Sequence, residues 1–124
     1  MRNLGVGTWS ESYWTVMESI VIRCDEPMEE RWKESVKSVF EIMGEIIPCE
    51  KCREHYKKYM RECPIQDYVI SQVKLYYWLY NLRRSMGFRY DEKEYVIYIY
   101  DKFKQGGWTE LYFKIQRNSH LKRE

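Results

Sequence analysis

The chain has 124 residues, 44% of them hydrophobic and 17% aromatic, with 12 Tyr and 5 Trp, which suits one domain with one core. Its 21 Lys and Arg nearly balance 19 Asp and Glu, for a net charge of +2, which argues against nucleic acid as the main partner. No apolar run approaches the ~20 residues that span a bilayer. Met1-Arg2-Asn3-Leu4-Gly5 has no apolar core of a secretory signal, so either an intracellular protein is expected or a targeting segment lies outside this sequence.

In chain order, a first helix is predicted over Ser10 to Arg23, with Tyr13, Trp14, Met17 and Val21 facing inward. Asp25-Glu26-Pro27 reads as a cap followed by proline in the first turn of the next helix, where a missing N–H costs little. In that second helix Met28, Trp32, Val36, Val39, Phe40, Met43, Ile46 and Ile47 recur at three- and four-residue steps, up to Pro48. A third helix runs from Cys49 to about Glu62, stopped by Pro64. A fourth covers Asp67 to Met86, where Gly87 is a natural breaker. Tyr95-Val96-Ile97-Tyr98-Ile99-Tyr100 has strand propensity, but no other segment reads as a partner strand. Glu92 to Lys104 is therefore predicted as a helix. Gly106-Gly107 then opens a tail, 106–124, expected to be irregular, with a basic, solvated end from Lys114. The expected fold is all-α: a single domain over 1–124, a compact four-helix bundle plus a short fifth helix, with C-x-x-C at the start of helix 3.

That C-x-x-C, Cys49 to Cys52, carries the clearest chemistry. It follows Pro48 directly and lies in the first turn of a helix, where free N–H groups and the helix dipole stabilise a thiolate. Lys51 and Arg53 add positive charge. Three readings compete: a redox disulfide, half of a zinc site, and a pair of bland buried cysteines. Zinc needs four ligands, and His55 and Cys63 are the nearest candidates. Cys63 follows Cys52 by eleven residues on one predicted helix, which puts it ~16 Å away. A thioredoxin-like domain would need a βαβ scaffold, and no such pattern is present.

Ile47-Pro48-Cys49-Glu50-Lys51-Cys52-Arg53-Glu54-His55-Tyr56 resembles the Y-P-C-x-x-C-x-x-H/D-F signature of the Erv/ALR flavin-linked sulfhydryl oxidases. Trp9-Ser10-Glu11-Ser12-Tyr13-Trp14 is similar to the W-G-P-x-x-W-x-x-L-H opening of that family, and Tyr77-Trp78-Leu79-Tyr80-Asn81-Leu82 resembles the approach to its H-N-x-V-N motif. The similarity runs from about Trp9 to Phe103 and is nearest to the short, core-only versions of large DNA viruses. The chain departs from the pattern at several positions. Glu18 stands for the opening histidine, Ile47 for the tyrosine before Pro-Cys, and Arg83-Arg84-Ser85-Met86-Gly87 for H-N-x-V-N.

The resemblance implies an FAD-dependent thiol oxidase. A substrate dithiol would attack Cys49, Cys52 would face the flavin, and oxygen would receive the electrons, giving hydrogen peroxide. The cofactor residues it implies are Trp9, Trp14, Glu18, His55, Tyr56 and Tyr80, with Arg83 and Arg84 for the pyrophosphate and Trp108 for adenine. Implied partners are substrate thiol proteins (thioredoxin-like or small dithiol carriers), molecular oxygen and a second copy of the chain. In a viral setting the location would be the host cytoplasm and the virion. The rival readings are a zinc-stabilised helical adaptor and a redox-inactive interaction module.

For Cys24 and Cys63 three readings stay open: a structural disulfide within the chain, two free thiols, and a shuttle or intermolecular link to a partner thiol protein. Helices 1 and 3 of an up-down bundle run the same way, so both cysteines follow helix ends at one end of the bundle. The bridge would close a loop of about 40 residues and stabilise by ~3–4 kcal/mol.

Overall fold

In the computed structural model, residues 1–5 and 7–117 are described, and every regular element among them is helical. The helices are α1 (Ser10–Arg23), α2 (Glu30–Ile46), α3 (Glu50–Glu62), α4 (Gln72–Ser85), α5 (Glu92–Lys102) and α6 (Trp108–Arg117), with a 3-10 turn over Ile65–Asp67. The all-α bundle with C-x-x-C at the start of helix 3 is therefore the fold. None of the helices among the described residues is long and apolar enough to cross a membrane.

Two pairings build the bundle: α1 packs on α4, and α2 on α3. Trp78 of α4 is the pivot. It is fully buried, sits edge-on to Phe40, Tyr56 and Tyr59, and donates from Nε1 to the Cys63 carbonyl at 2.8 Å. Such perpendicular ring contacts set the electropositive edge of one ring against the face of the next.

The strand-like run is a helix. Tyr95, Val96, Ile99 and Tyr100 are buried while Ile97 is exposed, which is the four-residue period rather than alternation. A capping box starts α5: the Asp91 side chain accepts from the Glu94 backbone and Glu94 Oε1 accepts from Asp91 N. Packing of that buried face on α1, α4 and α6 overrides the intrinsic preference.

Three expectations about element limits need correction. Pro27 does not open α2. The helix starts at Glu30, and the residues before it spend their polar groups on the entrance to α4: Asp25 O accepts from Gln72 N at 3.2 Å, and Glu26 Oε2 from Val73 N at 3.1 Å. The fourth helix starts later than the expected Asp67, which ends the 3-10 turn: α4 begins at Gln72, where the Ser71 hydroxyl caps it by accepting from Lys74 N at 3.2 Å. The region expected to be irregular contains α6. Gly107 at φ +86° turns the chain, and Leu111 and Ile115, four apart, are then buried against α5 and α4. The remaining tail, 118–124, lies outside the described residues.

Candidate active site

Cys49 is the N-cap of α3. Its Sγ accepts from the Cys52 backbone N–H at 3.4 Å and from the Cys52 thiol at 2.7 Å. Proline cannot continue α2, so Pro48 forces the chain to restart, and the restart leaves these N–H groups for the cysteine. Arg53 ties the corner: its guanidinium donates to Ile47 O at 2.6 Å and to Asn3 Oδ1 at 3.3 Å. The Leu4 N–H meets Pro48 O at 2.6 Å, so the N-terminal segment lies along the same corner.

The two thiols differ in character. The Cys52 thiol and N–H, opposed by partial burial and aided by the Lys51 N–H and Arg53, hold Cys49 below the ordinary thiol range. Burial, then the neighbouring Cys49, pushes Cys52 up to about 11. A thiol with a lowered pKa beside one with a raised pKa suits disulfide exchange, in which one sulfur attacks or leaves more readily than the other. Among the described residues no cluster of three or more His, Cys, Asp and Glu is placed to hold a metal.

Cys52 also lines a cavity of about 280 Å³ formed by Trp9, Ser10, Tyr13, Trp14, Met17, Ile47, Tyr56 and Met86. Cys49 is not part of that lining. The cavity falls just under the ~300 Å³ at which small-molecule pockets begin, a size for a fused-ring head group rather than a whole dinucleotide. Its walls come from α1, the end of α2, α3 and the end of α4. Trp9 Nε1 is buried with no hydrogen-bond partner, and such a donor is costly unless something accepts from it.

The candidate cofactor residues divide between three places. Trp9, Trp14 and Tyr56 line the cavity with Cys52. Glu18 and Arg83 lie beyond the cavity wall and bond to each other. The rest are elsewhere: His55 Nε2 meets Ser85 Oγ at 2.9 Å, the exposed Arg84 donates to Tyr80 OH at 2.6 Å, and Trp108 sits edge-on to Tyr112. Sequence reasoning missed Tyr13, Met17, Ile47 and Met86 as cavity residues. The spacing of Ser10, Tyr13, Trp14 and Met17 along one face of α1 was the available signal. It also missed Lys102 and Glu11, which join Glu18 and Arg83.

The Cys24–Cys63 bridge is not formed; all four cysteines are free. Cys24 lies in a groove between α1 and α2 beside Ile20, Met28 and Trp32, where burial, then Asp25, pushes its thiol up to about 11. Cys63 instead keeps company with Tyr59 and Tyr68. Following helix ends at one end of a bundle does not set two side chains against each other, because each end packs on a different neighbour.

The sequence model of the Erv1 / Alr family matches residues 11–103. The chain belongs to this family. The matched region holds α1 to α5, both cysteines of the C-x-x-C and most of the cavity, and leaves out Trp9 and α6. Two curated Erv proteins are similar to it. The FAD-linked sulfhydryl oxidase ERV1 of Arabidopsis thaliana is 26% identical over 73 residues, 59% of this chain and 37% of that protein. The mitochondrial FAD-linked sulfhydryl oxidase ERV1 of Saccharomyces cerevisiae is 24% identical over 99 residues, 80% of this chain and 51% of that protein. The chain thus spans about half or less of the length of these relatives.

Proposed function

We propose that this Erv1/Alr chain is a thiol oxidase that makes disulfides in substrate proteins, with FAD as its cofactor. One observation carries the reading: Cys52 lines the aromatic cavity while its partner Cys49 stands outside it at the helix tip. The pair has one sulfur for the substrate side and one for the cofactor side.

The two similar proteins are named as FAD-linked, and the cavity residues fit a flavin ring. Trp9, Tyr13, Trp14 and Tyr56 supply flat apolar walls. When bound, a flavin accepts two electrons from a dithiol and returns them to oxygen. The adenine and pyrophosphate are assigned to the outside of the cavity, with Arg84 the exposed guanidinium near the end of α4.

The chain's own residues perform the exchange. A substrate thiolate attacks Cys49 of the oxidised pair, forming a mixed disulfide and releasing Cys52 as a thiolate. A second substrate thiolate attacks the substrate sulfur of that mixed disulfide. The substrate leaves oxidised by two electrons, and the enzyme pair is left as the dithiol. Arg53 and the α3 N–H groups hold negative charge on Cys49 as the leaving sulfur. The substrates proposed are thioredoxin-like proteins or small dithiol carriers, and the final acceptor is oxygen. The same reading pairs two copies of the chain, with exposed Val16, Trp32, Ile42 and Ile46 of α1 and α2 as the apolar surface available.

The test is spectroscopic. Purified protein should be yellow, release FAD by mass spectrometry, bleach when dithiothreitol is added without oxygen, and recover its colour with hydrogen peroxide when air is admitted. Colourless protein, or colour that never bleaches, would turn the assignment toward an interaction module.

A further inference from the structure

Two of the positions at which this chain departs from the Erv/ALR pattern meet in space. Glu18 stands where the opening histidine is expected, and Arg83 where the H-N-x-V-N histidine is expected. The Arg83 guanidinium donates to Glu18 with one nitrogen and to Glu11 at 2.8 Å with another. Lys102 Nζ reaches both carboxylates at 2.6 Å. Two carboxylates and two cations make a cluster without net charge. Glu18 is fully buried, and the Arg83 side chain is 8% exposed. The cluster therefore offers a phosphate no net positive charge, and freeing Arg83 would strand a buried carboxylate.

The clamped guanidinium also lies over four rings, Trp14, Phe88, Tyr95 and Tyr98. Its carbon lies 5.2 Å from the centre of the Trp14 ring and 4.2 Å from that of Phe88. Trp14, Ser10 and Met86 line the aromatic cavity and also a smaller cavity that Arg83 and Glu11 line from the other direction. Trp14 is thus part of the partition between the ion cluster and the cavity. Cation–π attraction of a desolvated guanidinium favours one ring placement over others, and the fork on Glu11 and Glu18 prevents the guanidinium from following the ring.

We propose that the Glu18–Arg83 pair is a positioning device that sets Trp14 as a flavin-stacking wall, in place of polar contacts to the nucleotide half of the cofactor. The proposal rests on the flavin reading of the cavity. It makes Arg83 act on the ring system through Trp14, not on the pyrophosphate.

Riboflavin and FAD share the ring and differ in the pyrophosphate, so their dissociation constants separate the two roles. Apoprotein would be titrated with each flavin by fluorescence quenching, for the parent chain, Arg83→Lys, Trp14→Leu and the double variant, with circular dichroism as the check on folding. Arg83→Lys is expected to weaken both flavins alike, by about tenfold, or about 1.4 kcal/mol, and to have no further effect in the Trp14→Leu background. Glu11→Gln, at an exposed carboxylate that frees one arm of the guanidinium, should weaken both flavins by a smaller factor and serves if Arg83→Lys does not fold. A loss confined to FAD, no loss for either flavin, or full additivity with Trp14→Leu would each overturn the device while leaving the oxidase reading intact. A parent chain that binds neither flavin overturns both.

Discussion

Gly44 on α2 faces Tyr56 on α3 so closely that a Cβ added there would stand 3.1 Å from Cδ1 and 3.4 Å from Cε1 of the ring. The ring cannot easily give way: its hydroxyl donates to Phe40 O, and Trp78 meets it edge-on with centroids 5.9 Å apart. The same ring lines the cavity beside Cys52. The absent side chain on α2 therefore sets where α3 presents its redox pair.

Gly44→Ala should be destabilising despite the better helix former. Alanine gains about 1 kcal/mol of helix propensity, and overpacking against a fixed ring costs ~1–3 kcal/mol. The expected net loss is about 1 kcal/mol in urea unfolding. A stabilised Gly44→Ala protein would mean that Tyr56 is free to move.

Cys49→Ser and Cys52→Ser should each abolish oxidation of dithiothreitol while the flavin stays bound. The cavity is walled mainly by aromatic and aliphatic side chains, so the disulfide contributes little to holding the ring. Oxygen consumption and the visible absorbance spectrum measure the two properties separately. Substantial turnover in either variant would remove the pair from the mechanism.

In the reduced protein Cys49 should alkylate first. Its folded pKa lies below the ordinary 9.0, so its thiolate is present above that lowered value and is lost only as pH falls through it. Cys52, pushed up to about 11, stays protonated across the neutral range. Iodoacetamide labelling from pH 6 to 9, read by peptide mass spectrometry, is expected to show Cys49 modified throughout the upper part of this range and Cys52 hardly at all. Equal labelling of the two thiols would contradict the asymmetry.

Trp78→Phe should cost about 2–3 kcal/mol. The smaller ring leaves a void under Phe40 and Tyr59. It also leaves the Cys63 carbonyl without the 2.8 Å donor it now has, a loss of ~1–3 kcal/mol if that oxygen stays dry. Thermal unfolding measures the sum, and a change under 0.5 kcal/mol would show that water or another donor replaces the indole.

Local chemistry made much of this protein legible in its sequence. Pro48 followed by Cys49 and Cys52 marks a helix start carrying a redox pair, because proline placement and N-cap chemistry act over three or four residues. The periodic apolar residues of α2, and the limits of α1 at Ser10 and Arg23, follow from the helical repeat in the same way. Contacts between distant segments were decided only in the folded chain. Gly106-Gly107 looks like the end of order until Leu111 and Ile115 find α5 and α4. Cys24 and Cys63 follow parallel helix ends and still face different neighbours. Glu18 and Arg83 are 65 residues apart. Read along the chain they stand as two candidate cofactor residues; in the bundle each is the other's partner, because a buried charge must be paired wherever the fold can supply an opposite one.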